Sequence, residues 1–405
     1  MASFLSEHLD LRIIAATFVL SVVGIISVYS ATYDAHASLY FYRQLVFFFV
    51  GLSAATIVTL VPFRTLQLAA FPVYFLSIGL LVTVLLIGRT VSGSTSWLNF
   101  GLFRLQPSEF SKITTVLALA SFMSRSDVSL NNVKDLAIAT GIVLLPTLLI
   151  MAQPDIGTAI IFAGFYMPIL YWGGASRFTL VALAAPGAVA VSALFGTTPF
   201  LIAVLVFAVL LYATHKHRVL AAVVFSFMVL VGISVQAIYE GLKPYQQKRI
   251  ATFLDPGADP LGAGYNILQS KVAIGSGGLL GKGYLQGTQT QLNFIPEQWT
   301  DFIFCVPAEE FGFVGAAALL ILFLLILYRA LTIASTVKSS FASVIAIGIT
   351  GILLTHIVIN VGMALGLLPV IGVPLPFLSY GGSSLLASLI MVGLLLNIHL
   401  NRKEY

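Results

Sequence analysis

The stretch FIFCVPAEEFGFVGAAALLILFLLILY, residues 302–328, is apolar over almost its whole length. Its charged side chains are Glu309 and Glu310, and no charged residue follows them within the stretch. A helix needs a run of this kind to cross a membrane, because roughly 20 residues at 1.5 Å rise span the hydrocarbon layer. The stretch therefore predicts a transmembrane helix with two carboxylates near its beginning.

Apolar runs of similar length recur along the whole chain. They fall at 12–31, 44–62, 66–88, 108–123, 136–152, 156–172, 178–195, 199–214, 219–240, 341–364 and 376–399. Of the 405 residues, 59% are hydrophobic and 9% are charged, which leaves too little polar material to coat a soluble protein. We therefore predict an all-α polytopic membrane protein, a single helical bundle of about 10–12 transmembrane helices that forms one domain, 1–405.

Basic residues collect in alternate loops when the N-terminus is placed inside. These loops and the C-terminal tail carry Arg64, Arg125, Lys134, Arg177, Lys216, Arg218, Arg329, Lys338, Arg402 and Lys403. The positive-inside rule then predicts that both termini are cytoplasmic. The formal net charge of +5 reports this orientation, so we expect no nucleic-acid partner. The single cysteine excludes an intramolecular disulfide.

Two of the predicted outside loops, 89–108 and 241–301, are too long to be turns. Loops of this length are usually functional or disordered. The second loop contains amphipathic patches and aromatic residues, so we predict a large extracytoplasmic loop with short helices. Its glycine-rich part, GSGGLLGKG at 275–283, predicts turns and tight packing. Backbone amides near an anionic head group are the alternative.

Asp301 immediately precedes the apolar run 302–328 and allows two interpretations. A carboxylate at the membrane is a functional candidate, because burial raises its pKa and makes it a better base at neutral pH. Alternatively, Thr300 and Asp301 cap the helix, whose dipole favours negative charge at its beginning. The residues alone leave both open. For Glu309 and Glu310 we predict a structural role, in which one of the two pairs with a cation across the bundle.

The stretch LQPSEFSK at 105–112 begins another span with polar residues. Glu109 and Lys112 are three residues apart and therefore share one helix face. One interpretation is an ion pair that starts the helix. The other is a polar cluster that lines a cavity for a charged lipid head, and that cluster also includes Gln106 and Ser108.

Three further polar sites lie near predicted helix ends. In QPDIGTA at 153–159 we expect Asp155 to cap a helix, and we expect His356 and Asn360 to be hydrogen-bonded packing residues. PLPFLSYGGSS at 374–384 combines helix breakers with hydroxyls, and it predicts a re-entrant or broken helix start that lines a cavity. No spacing of His, Asp or Glu is typical of a metal site.

The chain resembles the SEDS family of bacterial membrane glycosyltransferases, which polymerise lipid II into peptidoglycan. The matching stretches are RLQPSEFSK, QPDIGTAI, DPLGAGYNILQSKVAIGSGGLLGKG, GTQTQLNFIPEQWTDFIF, AEEFGF and NVGMALGLLPVIGVPLPFLSYGGSS. They run in order across nearly the whole chain. Ile371 stands where the division branch typically has Lys, so the resemblance is to the elongation branch.

The resemblance implies inverting transfer with Asp301 as the general base for the acceptor sugar's 4-hydroxyl. The undecaprenyl pyrophosphate leaving group needs compensation by cationic side chains or by a divalent ion, Mg²⁺ or Mn²⁺. The candidate cations are Lys271, Arg249 and Lys112. The other candidate substrate contacts are Glu297, Trp97, Gln106, Ser108, Glu109, Ser379, Tyr380 and Ser383.

The chain departs from the family pattern in three places. Ser96 precedes Trp97 where the family usually has Arg, and Trp299 stands where His is common. The family norm is ten spans, so we interpret 178–240 as containing an inserted helical hairpin.

The resemblance also implies a location and partners. It places the chain among the lipids of the bacterial cytoplasmic membrane, with a class B penicillin-binding protein, a transpeptidase, as its heterodimer partner. The sequence leaves two other functions open: a flippase that moves lipid II across the membrane, and a non-catalytic scaffold for a penicillin-binding protein.

Overall fold

The computed structural model of the chain describes residues 9–33, 38–91, 94–99, 101, 104–214, 218–241, 247 and 264–402. Most of these residues are helical. The long helices are α1 (Leu11–Thr32), α2 (Ser38–Leu60), α3 (Phe63–Ile87), α4 (Pro107–Met123), α5 (Val133–Ala152), α6 (Ile156–Trp172), α7 (Arg177–Leu194), α8 (Thr197–Thr214), α9 (Arg218–Glu240), α13 (Gly312–Thr336), α14 (Ser340–Ala364) and α15 (Gly382–Leu400). Three shorter helices are α10 (Tyr265–Ser276), α11 (Thr288–Gln291) and α12 (Cys305–Glu310).

Ten of these helices are long and apolar enough to cross a membrane: α1, α2, α3, α5, α7, α8, α9, α13, α14 and α15. Helices α4 and α6 have 17 residues each and are shorter. The prediction of an all-α polytopic membrane protein with about 10–12 transmembrane helices is therefore confirmed. Short helices in the loop 241–301 are confirmed by α10 and α11.

A small antiparallel sheet occupies the first long loop and was not predicted. Its strands are β1 (Arg89–Val91), β2 (Ser94–Asn99) and β3 (Arg104–Leu105), in the order β1-β2-β3. Leu98 pairs with Leu105, and the Thr95 N–H donates to the Gln153 carbonyl at 3.2 Å. The alternation that marks a strand is hard to recognise over so few residues.

The chain divides into two compact units. The first comprises Met1–Val128, Ala137–Ile169 and Tyr265–Tyr405. Its core is formed by α14 and α15, which are 83% buried in their most apolar windows, as expected for helices that are hydrophobic on all sides. Helix α15 packs on α2, and α14 packs on α4 and α13. The Asn397 amide donates to the carbonyls of Val58, Thr59 and Val61, which closes the end of α2.

The second unit comprises Ser129–Leu136 and Leu170–Gly264. Helices α7, α8 and α9 pack on one another around Ala185, Val189 and Met228. The range 178–240 thus contains three helices. The inserted hairpin within this range stays a prediction. The assignment of 1–405 to a single domain also stays a prediction.

The predicted span 302–328 is interrupted in the structure. The prediction was wrong about where the long helix begins. Helix α12 ends at Glu310, and α13 begins at Gly312, whose φ is 63°. The first amides of α13 bond outside the helix: Phe313 donates to the Gly278 carbonyl at 2.9 Å and Val314 to the Leu279 carbonyl at 3.1 Å. The loop before α11 therefore satisfies amides that a continuous helix would have satisfied itself.

Candidate functional site

Asp301 lies in a turn that precedes the short helix α12. Its side chain is half-buried, and its N–H donates to the Glu297 carbonyl at 3.1 Å. Helix α12 begins at Cys305 without a side-chain cap, so the alternative in which Thr300 and Asp301 cap the helix is wrong. The Asn360 amide donates to the Asp301 carbonyl at 2.9 Å, which ties the turn to α14.

The segment 365–381, which connects α14 to α15, packs its backbone and hydroxyls against this turn. The Ser379 hydroxyl donates to the Thr300 carbonyl at 2.6 Å, and the Tyr380 N–H donates to the Trp299 carbonyl at 2.8 Å. The segment is irregular until α15 begins, which confirms the predicted broken helix start. These two bonds hold the residues that precede Asp301 in place.

Gly372 brings a bare backbone beside the Asp301 carboxylate. Its φ of 73° favours glycine, and a Cβ at this position would lie 3.4 Å from Asp301 Oδ2. The next carbonyl, that of Val373, accepts from the Asn360 amide at 2.8 Å. Residue 372 therefore presents no side chain to this carboxylate oxygen.

Three aromatic rings pack together next to Asp301. Tyr40 of α2 stacks on Trp299, with ring centroids 5.6 Å apart and 19° between the planes. Tyr40 also meets Tyr380 edge-on, at 4.9 Å. Trp299, which stands where the family often has His, therefore has a structural role. Its ring contacts α2, and its carbonyl binds the segment 365–381.

We expect Trp299→Ala to destabilise the protein by about 0.5–1.5 kcal/mol, because an aromatic pair contributes on that order beyond the area it buries. Trp299→His keeps a flat ring and should recover part of the loss. The measurement is the melting temperature in detergent. Tyr212→Ala, at a largely exposed aromatic side chain, is the matched control and should change it little. Equal melting temperatures for wild type and Trp299→Ala would contradict this role.

Two arginines next to Tyr380 were not among the predicted site residues. Burial raises the pKa of Tyr380, and a hydrogen bond from Arg43 opposes the rise; Arg104 opposes it electrostatically. Both arginines are exposed. They supply positive charge close to the turn that carries Asp301.

Gln44 was also not among the predicted site residues. Its side chain is completely buried; its amide donates to the Ser379 carbonyl at 3.1 Å, and its oxygen accepts from the Gly381 N–H at 3.3 Å. An amide at the edge of the apolar run 44–62 could have indicated it, because a polar group in such a run must find partners.

The predicted cluster at 105–112 is an interior network. Lys112 is fully buried; its ammonium donates to Glu109 at 2.9 Å and to His356 Nε2 at 2.8 Å. His356 Nδ1 lies 2.9 Å from the Pro374 carbonyl, which can only accept, so Nδ1 carries the proton and Nε2 accepts. Of the two interpretations, the structure supports the ion pair.

The remaining cluster residues link α4 to its neighbours. The Gln106 N–H donates to the Ser383 hydroxyl at 3.0 Å, and its side-chain amide donates to Asp155 at 3.3 Å. Asp155 caps α6 as predicted, accepting from the Thr158 N–H at 3.0 Å. Ser108 is fully buried.

The other predicted substrate contacts differ in how exposed their side chains are. Lys271 of α10 is exposed, and a Cβ at Gly366 would lie 2.7 Å from its Nζ. Glu297 is exposed and accepts from the Thr300 hydroxyl at 3.3 Å. Trp97 is half-buried in β2. Arg249 lies outside the described residues.

Glu309 and Glu310 anchor the loop 277–291, as their predicted structural role required. Glu309 pairs with Lys282 at 2.7 Å and accepts from the Gln289 and Thr290 N–H groups at 3.0 Å. Burial alone would raise the pKa of Glu309, but these hydrogen bonds outweigh it and the pKa is lowered. The backbone comes close enough because Gly281, with φ 82°, faces the Glu310 carbonyl where a side chain would clash.

Glu310 is held differently from its neighbour. It accepts from the Ser30 hydroxyl and from the Leu285 N–H, the latter at 3.0 Å, while its Oε2 is buried without a hydrogen-bond partner. Burial raises the pKa of Glu310, and these bonds oppose the rise without cancelling it.

The two carboxyls predict opposite pH dependences. The folded pKa of Glu309 lies below its unfolded value, so its stabilisation is present above pH 4.5 and lost below it. The advantage in melting temperature of wild type over Glu309→Gln should therefore shrink below pH 4.5. The folded pKa of Glu310 is raised, so any advantage of Glu310→Gln over wild type should shrink as the pH falls toward 4.5. Parallel profiles for both variants would contradict the assignment.

Among the described residues, no group of three or more His, Cys, Asp and Glu side chains could hold a metal ion. A divalent ion, Mg²⁺ or Mn²⁺, stays a prediction that rests on the resemblance.

The fold and this site define a polytopic helical membrane protein with a half-buried carboxylate in the turn before α12. The sequence profile of the cell cycle proteins FtsW, RodA and SpoVE matches residues 7–197 and 195–404, and the chain belongs to this family, also known as SEDS.

Two relatives in the family are named as peptidoglycan glycosyltransferases. "Peptidoglycan glycosyltransferase MrdB" of Escherichia coli (strain K12) is 39% identical over 87% of this chain and 84% of its own. "Peptidoglycan glycosyltransferase RodA" of Treponema pallidum (strain Nichols) is 34% identical over 96% and 97%. A solved chain described under "Structural coordination of polymerization and crosslinking by a peptidoglycan synthase complex" superposes with a TM-score of 0.74 at 29% identity, covering 98% of this chain and 99% of that chain. Thermus thermophilus RodA superposes with a TM-score of 0.65 at 26% identity, covering 97% of each chain.

Proposed function

We propose that the chain is a peptidoglycan glycosyltransferase that polymerises lipid II during cell elongation. The names of its relatives support the activity, and Ile371 supports the elongation branch. The observation that carries the proposal is the environment of Asp301. This carboxylate is half-buried, and its backbone carbonyl accepts a hydrogen bond from the Asn360 amide. Gly372 lies beside it, and a Cβ added to that glycine would lie 3.4 Å from Asp301 Oδ2.

Asp301 acts as the general base in this proposal. One carboxylate oxygen takes the proton of the acceptor sugar's 4-hydroxyl, whose oxygen forms a bond to the anomeric carbon of the donor. The bond from that carbon to the undecaprenyl pyrophosphate breaks, and its electron pair leaves with the phosphate. Attack opposite the leaving group inverts the anomeric centre. The fixed turn contributes by placing the base, and placement of lipid-anchored substrates removes much of the entropic cost.

Cationic side chains compensate the charge of the pyrophosphate leaving group. Lys271 remains a candidate because it is exposed, and Arg249 remains one from the resemblance. Lys112 is fully buried and bonded to Glu109 and His356, so we assign it a positioning role. Arg43 and Arg104 are added to the candidates because both are exposed and act on Tyr380.

The remaining predicted contacts divide between binding and positioning. Tyr380, Trp97 and Glu297 are exposed enough to meet a substrate. Ser379, Ser383 and Glu109 are buried, and each has a partner within the chain, so they position the elements around Asp301. Gln106 and Ser108 begin α4 beside them.

The active site faces the outside of the cytoplasmic membrane in this proposal. The basic residues of alternate loops support cytoplasmic termini, and the turn that carries Asp301 lies at the opposite ends of α13 and α15 from Arg329 and Arg402. Lipid II presented at the outer leaflet would then reach it. A class B penicillin-binding protein is the proposed partner, supported by the similarity to a chain of a peptidoglycan synthase complex.

Purified protein given labelled lipid II, with and without such a transpeptidase, tests the proposal. Glycan chains are the expected product. In liposomes, movement of lipid II between leaflets without any polymer would instead support a flippase. Polymer that requires the partner's own catalytic residues and not this chain's Asp301 would support a scaffold.

A further inference from the structure

A basic pocket lies between the C-terminal ends of α13 and α15. It has a volume of about 430 Å³ and is lined by Arg329, Thr332, Ile333, Thr336, His399 and Arg402. The four residues of α13 fall on one face of the helix, since they are three, four and seven positions apart. Cavities of about this size hold small ligands or parts of larger ones.

The charge in this pocket is unbalanced. Arg329 pairs with Asp10, through Nε at 2.7 Å and Nη2 at 2.6 Å. Arg402 instead contacts the ring of His399, with Nη1 at 2.8 Å from Nε2. None of the lining residues carries a carboxylate, and in the part of the chain that the structure describes Asp10 is the acidic partner of only one of the two guanidinium groups. The pocket therefore favours an anion.

The hydroxyls of the pocket already have partners. The Thr332 hydroxyl donates to the Tyr328 carbonyl at 2.8 Å, and the Thr336 hydroxyl donates to the Thr332 carbonyl at 2.8 Å. Recognition of an anion thus falls to the arginines. A guanidinium group presents paired N–H donors that match two phosphate oxygens.

The position of the pocket in the membrane indicates which anion it binds. Both helices run from the turn and segment around Asp301 at their beginnings to this pocket at their ends. Helix α13 has 25 residues and is roughly 37 Å long at 1.5 Å per residue, so its end lies at the depth of lipid headgroups. Basic pockets between transmembrane helices commonly bind anionic headgroups.

We infer that this pocket binds the phosphate of an anionic phospholipid headgroup, on the side of the membrane opposite to the candidate active site. The inference does not depend on the proposed reaction, since none of the lining residues takes part in it. The lipid would bridge the ends of α13 and α15, two helices that carry elements of the candidate site at their other ends.

The test is a titration of the full-length protein in detergent with phosphatidylglycerol, phosphatidylcholine and inorganic phosphate, followed by native mass spectrometry. Wild type should retain phosphatidylglycerol in preference to phosphatidylcholine. Arg402→Gln should weaken that binding about tenfold, since it removes one charge-assisted hydrogen-bond group. Arg402→Lys should fall between the two. Lys338→Gln, a nearby cation outside the lining, is the matched control and should bind as wild type does.

Several outcomes would overturn the inference. Equal retention of both lipids, or equal loss in Arg402→Gln and Lys338→Gln, would show that the pocket does not recognise the headgroup. Retention of inorganic phosphate without retention of phosphatidylglycerol would exclude the lipid as its source. Equal melting temperatures of lipid-free wild type and Arg402→Gln establish that a loss of binding is not a loss of fold.

Discussion

Asp301→Asn is expected to lower the rate of lipid II polymerisation by about 10²–10⁴-fold, the usual contribution of a general base. Asparagine has almost the same shape, so the hydrogen bonds of the backbone turn to Glu297 and Asn360 should persist. The side chain can no longer take up the proton of the acceptor hydroxyl. The measurement is the initial rate of glycan formation from labelled lipid II.

Glu297→Gln is the comparison variant, because it changes a candidate substrate contact and leaves the proposed base in place. Glu297 lies one turn before Asp301 in the chain, is exposed and binds the Thr300 hydroxyl. The same chemical change at this position should lower the rate far less. Equal losses in the two variants would indicate a general electrostatic effect of the turn rather than a specific base.

Lys112→Met is expected to destabilise the protein by about 3–5 kcal/mol, because it leaves the Glu109 carboxylate buried without its partner. Lys112 and Glu109 have side-chain exposures of 0% and 4%, so water cannot replace the lost contact. His356 also loses the donor to its Nε2. The measurement is the melting temperature in detergent, with a parallel loss of polymerisation as the Pro374 carbonyl and its segment shift.

The double variant Lys112→Met, Glu109→Gln distinguishes the effect of the unpaired Glu109 charge from the effect of lost side-chain packing. It removes both charges and should recover a large part of the stability lost in the single variant. Lys134→Met, at an exposed lysine, controls for the substitution itself and should have little effect. A melting temperature of Lys112→Met equal to that of wild type would contradict the account of this network.

The sequence was sufficient to predict the helical membrane fold, because length and apolarity alone decide which segments can cross a bilayer. The sequence predicted the positions of the long helices but not where they are interrupted. The interruption before Gly312 depends on hydrogen bonds from Phe313 and Val314 to a loop that lies far back in the chain. No local pattern reports such a bond.

In the candidate site, too, local sequence predicted some features and others depended on the fold. Asp301 could be singled out because a carboxylate beside an apolar run is unusual, but whether it capped a helix depended on where α12 begins. Lys112 has the right charge for a phosphate contact, yet its direction is set by His356, which is remote in sequence. Tyr40 and Gln44 lie on an apolar helix, and only the fold brings them to Trp299 and the segment 365–381.

The most direct test of the central claim separates binding of lipid II from its chemistry. Labelled lipid II is titrated into wild type and Asp301→Asn, and the glycan formed by the same samples is then measured. If Asp301 is the general base, the two proteins bind lipid II with similar affinity, and only wild type forms glycan at an appreciable rate. Glycan formation by Asp301→Asn at the rate of wild type, or a loss of lipid II affinity as large as the loss of rate, would contradict the claim.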